Sequence, residues 1–550
     1  MPMLKSDHSS AADRDNVPEL SPRQVDVLFE RTEGWPAALY LAGLALLAAE
    51  DGIDRAIADF AGDDRFVVDY LRDEFISGTS EAELRFLIRT SILDRMSGSL
   101  CDAVLEQSDS GQELRMLSRS NMLLAPLDHR DEWFRYHGLF REMLLSELRR
   151  TDRPAEAGLH RRASDWYAEH EDFDHAIDHA VAAGDAGSAG ELIWASVPFY
   201  NSHGRVATID RWLERFDEAT VASHPALALT AAHASLAQGD GEVADRWVAA
   251  AQGAIETGPP GPTGTVEAGL LLTRATIGRD GLARMEKDAG AAYEMYAKDD
   301  PWRSLCCLIE GTALCLGGDG PAGRRRLEEA ARRGAVVPLV QVLGNAQLAL
   351  MTMDRDRHAA AELVVQVKAQ LDRYGFGDYP PMALPMAVAA LFHARAGQTA
   401  EAAEELAEAL RLLDKMRDFI PWIEVETRIV SARALLRLDD GSRARQLLGD
   451  ASRRLQVTPD ATLLTSWIQE AKAALDQAST EAGLTPAELR VLQFMPTHLS
   501  FREIAQHLYV SPNTVKTQAQ SIYRKLGVSA RAEAVDIARG AGLLDEAEPS

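Results

Sequence analysis

Seven breaks in a long helical stretch constrain this chain more than any other feature. Between about residues 156 and 476, alanine and leucine recur at helical spacing, and the runs stop at Gly184, Gly239, Asp280, Gly318, Arg355, Gly397 and Asp440. Successive spacings are 55, 41, 38, 37, 42 and 43 residues, so five of the six lie near 40. Similar helix starts follow several breaks: GDGEVADRWVAAA from Gly239, GDGPAGRRRLEEAA from Gly318, GQTAEAAEELAEAL from Gly397 and DGSRARQLLGDA from Asp440. A unit of this length is a pair of helices that cannot bury its apolar side alone, and stacking such pairs buries it. The spacing therefore predicts an α-solenoid. The segment Gly258 to Gly264 (GPPGPTG) cannot be helical and is expected to be an exposed loop within it.

Stacked pairs near 40 residues long are of tetratricopeptide type, and the rest of the chain is also mostly helical, so the expected class is predominantly all-α. A length of 550 residues suggests three or four domains. Residues 1–19 are polar and without periodicity, and are expected to be a disordered arm. From 20 to 75 the pattern is helical. From 76 to 155 two helical runs, Glu81 to Thr90 and Glu113 to Ser120, precede two short runs, Asn121 to Leu127 and Glu132 to Tyr136, around a turn at Asp128 to Asp131. Helices followed by one hairpin predict a winged helix. The solenoid fills 156–476, Leu475 to Gly483 loses the pattern and reads as a linker over 477–483, and a separate domain occupies 484–546.

The charge balance narrows the function. There are 84 acidic and 58 basic residues, a net charge of −26, which excludes a protein whose whole surface holds nucleic acid. Residues 484–544 reverse this locally: Arg490, Arg502, Lys516, Arg524, Lys525, Arg531 and Arg539 stand against Glu488, Glu503, Glu533 and Asp536. A basic head on an acidic body predicts a local contact with double-stranded DNA.

Four helix starts are legible in this head. Thr485 with Glu488 and Ser500 with Glu503 have the capping-box form, Ser511 precedes Pro512 as a cap before a first-turn proline, and Ser529 is placed to cap a fourth helix. Phe501 to Leu508 and Pro512 to Leu526 are separated by three residues, the spacing of a helix-turn-helix. Val515, Ala519, Ile522 and Leu526 form one apolar stripe, expected to lie on Ile504 and Leu508. The opposite face carries Asn513, Thr517, Gln520 and Arg524, flanked by Lys516 and Ser521, with no acidic residue from Pro512 to Gly527. Such a helix fits the major groove, with Lys516 and Gln520 at base edges and Arg524 and Lys525 at phosphates.

The runs LTPAELRVLQFM, LSFREIAQHL, VSPNTVKTQAQSIYRKLGV and ARAEAV resemble, in order, the LuxR-type DNA-binding domain, a four-helix helix-turn-helix fold. The resemblance implies DNA contacts by Thr514, Lys516 and Thr517, dimerisation through the fourth helix, and RNA polymerase as a partner. Gln518 stands where many members carry His, which bears on a phosphate or groove-edge contact. Ser511 completes the expected interface.

The stretches EGWPAALYLAGLAL and RYHGLFREML, with the superhelix, are similar to the large MalT-like LuxR regulators, in which an ATPase module precedes a winged helix, a superhelix and the head. That similarity implies that 20–75 is the helical lid of a signalling ATPase module. It implies too that Gly34 and Pro36, with Trp35, match the lid's Gly-x-Pro signature, and that His137 matches a phosphate-sensing histidine. No GxxxxGK[ST] occurs, so the chain is expected to begin after the ATPase core.

Other chemistry reads poorly. GDGPAG at Gly318 follows a helical run and marks a solenoid turn, not a dinucleotide loop. His175 and His179 lie four apart among His160 and His170 but lack a fixed carboxylate, so no metal is expected. No GxSxG or triad is found, and no enzyme activity and no cofactor are expected. Cys101, Cys306, Cys307 and Cys315 form no CxxC and are expected to be buried thiols of a cytoplasmic protein. The uncharged run Gly34 to Ala49 has 16 residues, short for a membrane span, and predicts a buried helix. Trp194, Trp212, Trp247, Trp302 and Trp422 are expected in the solenoid core. The expected function is a sequence-specific transcription regulator whose helical body takes an unknown small-molecule or protein effector. The alternatives are an interaction adaptor and an ATPase-linked switch that borrows its P-loop from another chain.

Overall fold

The computed structural model describes residues 20–48, 53–120, 123–258, 264–481, 484–541 and 543–544. The expected arm and residues 259–263 of the GPPGPTG loop lie outside them. The chain divides into two compact units, Met1–Leu192 and Ile193–Ser550.

In the first unit the helix Pro22–Thr32 opens on a capping box, Ser21 with Gln24. The uncharged run forms Pro36–Ala48, but the expectation of a buried helix is only half right. Ala38, Leu41, Ala42 and Leu46 are buried, while Leu39, Tyr40 and Leu47 stay exposed, because within this unit the core meets one side of the helix. Glu81–Thr90 and Ser110–Ser120 are helices, and the hairpin forms between β2, Leu124–Pro126, and β3, Trp133–Tyr136. One Asp128 carboxylate shapes its turn, accepting the backbone N–H groups of Arg130 at 2.7 Å, Glu132 at 3.2 Å and Trp133 at 2.8 Å. A further strand, β1 (Met96–Ser97), pairs antiparallel with β3 and gives the sheet order β1-β3-β2. Two residues carry no period, which is why β1 and the helix after it, Gly98–Leu105, escape a sequence reading.

The clustered histidines of this unit are held by close partners. His160 and His179 meet Nδ1 to Nδ1 at 2.8 Å in the core, and His175 meets Asp172 at 2.8 Å while stacking on Tyr167. The His160–His179 contact needs one ring to donate and the other to accept, so at most one of these two nitrogens carries a proton. Burial lowers both affinities for a proton, and for His179, with His160 and His175 nearby adding to it, the pKa falls to about 3. Folded values below the unfolded value of about 6.5 mean that this stabilisation is complete above that pH and is lost as the pH falls through it. Denaturant melts should therefore show the first unit weakening by roughly 2 kcal/mol between about pH 7.5 and pH 5. A His160→Leu, His179→Leu variant should flatten that slope, and an equally steep slope in the variant would contradict the assignment.

In the second unit every sequence break after Gly184 falls inside a helix pair. The pairs are Pro225–Gln238 with Gly241–Thr257, Gly264–Ile277 with Leu282–Met295, and Trp302–Gly317 with Gly320–Arg333. Pro338–Thr352 with Arg357–Tyr374, Ala383–Ala396 with Thr399–Leu413, and Pro421–Arg437 with Gly441–Arg454 follow. The turn chemistry repeats as well. Gly239 and Gly318 end their helices at φ +85° and +108°, a left-handed conformation that favours glycine, and the next residue, Asp240 or Asp319, caps the second helix.

The two helices of a pair are built differently. Every residue from Ala226 to Ala237 is buried, as befits a first helix apolar on all sides. A second helix such as Gly320–Arg333 buries one stripe, Gly323, Leu327 and Ala330. A Cβ at Gly323 would stand 2.7 Å from the Gly311 carbonyl oxygen, so these two helices touch closely, and the GxGxxG spacing records that contact. In the last pair Glu424, 1% exposed, accepts hydrogen bonds from the Phe419 N–H at 2.7 Å and Arg428 at 2.9 Å, and forms an ion pair with Arg454 at 2.8 Å.

One boundary differs from expectation. The segment expected to be a linker stays helical, since Thr462–Glu481 is one helix and only residues 482–483 before the head lie outside the described set. From Leu475 to Glu481 there is no glycine or proline to stop it.

Candidate nucleic-acid interface

The head consists of helices Pro486–Phe494, Phe501–His507, Pro512–Leu526 and Arg531–Gly540. Thr485 with Glu488 and Ser500 with Glu503 close both expected capping boxes, and Ser511 Oγ accepts the Thr514 N–H at 3.1 Å. The fourth start differs: Ala530 takes the cap position, and Ser529 instead donates its N–H, at 3.1 Å, and its hydroxyl, at 3.3 Å, to the Glu533 carboxylate. The helix begins one residue later than the Ser529 cap requires.

Val515, Ala519 and Ile522 are buried on Ile504 within one core, and Leu508 and Leu526 pack against its edge. This stripe fixes the rotation of the Pro512–Leu526 helix, and therefore which side chains face out. Ser511, Asn513, Thr514, Lys516, Thr517, Gln520 and Arg524 are exposed, with Gln518 and Ser521 half-buried beside them. The face is ordered by its own hydrogen bonds: Ser511 and Thr514 hydroxyls meet at 2.8 Å, Thr517 donates to the Asn513 carbonyl at 2.9 Å, and Arg524 reaches Ser521 at 3.3 Å.

Two cations counted toward the basic head also serve the fold. Lys525, expected at a phosphate, donates to the Glu488 carboxylate at 2.7 Å, and its side chain is 27% exposed. Burial alone would raise the Glu488 pKa, but the Lys525 ammonium and the Thr485 N–H outweigh it and lower the value to about 2. Arg531 donates to the carbonyls of Phe494 at 3.2 Å, Met495 at 2.8 Å, Thr497 at 2.9 Å and Leu499 at 2.7 Å, closing the end of the first helix and the loop beyond it. Neither role has a signal in residue spacing.

One surface residue was also missed. Tyr509, in the turn before Ser511, is 96% exposed and held at φ +56°, beside the start of the outward face. A bulky residue in left-handed backbone leaves no sequence signature. Arg502 is exposed on the preceding helix.

In the first unit His137 meets the segment that carries Gly34 and Pro36, although a hundred residues separate them. His137 Nε2 meets the Thr32 carbonyl at 3.0 Å, its ring lies 5.3 Å from Trp35, and its Nδ1 is buried without a partner. Glu33 accepts Arg135 at 3.0 and 2.7 Å and the Gly138 N–H at 2.9 Å, binding the same corner. A carbonyl at Nε2 requires that nitrogen to donate, so a neutral His137 presents an acceptor at Nδ1.

Comparison with known proteins matches two segments of the chain to family models. Residues 72–156 match the MalT winged helix domain, and residues 482–538 match the bacterial regulatory proteins of the luxR family. The serine/threonine-protein kinase PknK of Mycobacterium tuberculosis is 30% identical over 213 residues, 38% of this chain and 19% of the kinase. The HTH-type transcriptional regulator MalT of Vibrio parahaemolyticus is 25% identical over 198 residues, 36% of this chain and 22% of that protein. MalT of Klebsiella pneumoniae is 26% identical over 203 residues, 37% and 22% of the respective lengths. The aligned part thus spans about a fifth of each of these relatives. A tetratricopeptide-bearing signal transduction ATPase from Pyrococcus horikoshii is similar at a TM-score of 0.41 and 14% identity, over 82% of this chain and 72% of that one. With a MalT-type winged helix ahead of a helical body and a luxR-family domain behind it, the chain is similar to the MalT-like regulators of the LuxR family.

Proposed function

We propose that this protein is a sequence-specific transcription regulator, whose helical body receives a signal and controls a DNA-binding head. One observation carries the reading: the buried stripe on the Pro512–Leu526 helix turns an uninterrupted polar and basic face outward, at the place in a helix-turn-helix that enters the major groove. Lys516 and Gln520 read base edges, and Ser511, Asn513, Thr514, Thr517, Gln518, Ser521 and Arg524 position the helix along the groove and its phosphates. The head pairs through its fourth helix on a tandem half-site, RNA polymerase is the partner in transcription, and the protein works in the cytoplasm. No helix among the described residues is long and apolar enough to cross a membrane.

The test is selection of genome fragments on the full-length protein across salt concentrations. A defined site with steep salt dependence is expected. Lys516→Ala should weaken binding about tenfold and lower the salt slope by about one. Lys525→Ala should instead leave site preference intact and loosen the head, because its partner is Glu488. Failure of the full chain and of residues 475–550 alone to select any site would overturn the reading in favour of a protein-interaction adaptor.

A further inference from the structure

The last solenoid pair reaches back to earlier ones through polar contacts in the interior of the stack. Trp422 donates its indole N–H to the Thr276 carbonyl at 3.3 Å, which joins the sixth pair to the second. Gln347, in the first helix of the fourth pair, donates its side-chain amide to the Glu426 carboxyl at 2.6 Å, across 79 residues of chain. Glu426 is 0% exposed and Gln347 is 3% exposed, so this second contact is made in a place closed to solvent.

Two glutamates on one helix are treated in opposite ways. Glu424 is met by two arginines and a backbone N–H, whereas Glu426 has the Gln347 amide on Oε2 and nothing on Oε1, which is buried without a partner. An ionised carboxylate has about four acceptor sites, so one amide would leave most of them bare and the charge unpaired. A neutral carboxyl escapes both penalties. The charged groups on the surrounding elements are engaged elsewhere. Pro338–Thr352 carries none. Cys315, on Trp302–Gly317, is close enough to feel the Glu426 charge, and burial keeps it a thiol by pushing its pKa up to about 12. Arg324, beside Cys315, donates to Thr352 at 2.9 Å, and Glu310 pairs with Arg326 at 2.9 Å. His393 meets Glu405 at 2.6 Å, Arg395 pairs with Asp354, and Arg433 lies over the Trp467 ring.

We propose that Glu426 is a proton-operated clasp, which in its neutral form holds the last solenoid pair to the fourth and on losing its proton lets that junction open. Burial, offset only in part by the Gln347 amide, raises its pKa from 4.5 to about 7. A folded value above the unfolded one means that the opened state releases its proton first. The junction therefore weakens as the pH rises from about 4.5 to about 7 and stays weak beyond. This sense is opposite to that of the His160–His179 contact, which strengthens as the pH rises. The clasp stands or falls independently of DNA binding.

The test is hydrogen exchange on the full-length chain at about pH 5 and about pH 7.5, with each rate corrected to a protection factor. Protection in Pro338–Thr352 and Pro421–Arg437 should fall by at least about tenfold between the two. Glu426→Gln keeps the shape and stays neutral at every pH, so its protection in these helices should not change. Gln347→Leu removes the donor that favours the ionised form, so its loss of protection should begin at a higher pH than in the parent. Parent protection that does not fall, or that falls as steeply in Glu426→Gln, overturns the clasp. A Gln347→Leu profile that matches the parent or moves to lower pH overturns it as well, and does so even if Glu426→Gln fails to fold.

Discussion

Arg531→Ala is expected to destabilise the head by about 3 kcal/mol, a large share of what a domain of this size possesses. The guanidinium answers four carbonyls, those of Phe494, Met495, Thr497 and Leu499, and lies 5.7 Å from the centroid of the Phe501 ring. Alanine removes every donor at once and strands the end of the first helix. Arg531→Lys should recover only a fraction, because an ammonium cannot span the same fan of acceptors. Hydrogen exchange over 484–541 in the full chain would read the effect directly, with faster exchange throughout the head and little change in the solenoid. An unchanged head would mean that the four contacts are dispensable. If Arg531 were instead a phosphate contact, the variant would lose DNA affinity with no change in exchange.

Glu424→Ala should be at least as damaging to the last solenoid pair, by about 3–5 kcal/mol. The carboxylate is fully enclosed, and its removal leaves the Arg428 charge in a place where its side chain is only 11% exposed. The Phe419 N–H loses its acceptor in the same step. Glu424→Gln keeps the shape and one acceptor but not the charge, and should fall between the two. A chemical melt of the whole chain should show the midpoint shift, and a Glu424→Ala protein melting like the parent would show that the pair is solvated in solution. Restoring stability by adding Arg428→Leu would confirm that the stranded charge, not the lost packing, carries the cost.

Much of this molecule was legible before its coordinates. The solenoid announced itself through Gly239, Gly318 and Gly397 because a tight turn between packed helices has few solutions: all three supply a left-handed stop, and Asp240 and Asp319 after the first two supply a cap. The reading face followed from the stripe Val515, Ala519 and Ile522, since burying one side of a helix settles the other. Illegible features were those fixed by distant partners. Lys525 reads as a surface cation until Glu488, thirty-seven residues away, is seen to hold it. Ser529 reads as a cap until Glu533 takes its hydroxyl. Arg531, too, reads as one more cation of the head until the carbonyls of Met495 and Leu499, more than thirty residues earlier, are seen to hold it.

The repeated Gly-Asp turn has a mechanical consequence. In a stack where each pair leans on its neighbours, a small change in tilt at one junction is inherited by every later pair, so angular changes add along the axis instead of averaging out. Close contacts such as Gly311 with Gly323 leave little slack inside a pair to absorb such a change. The superhelix then behaves less like a cushion than like a lever arm. A modest change in the first pair is passed through every later one before it reaches the helix that ends at Glu481.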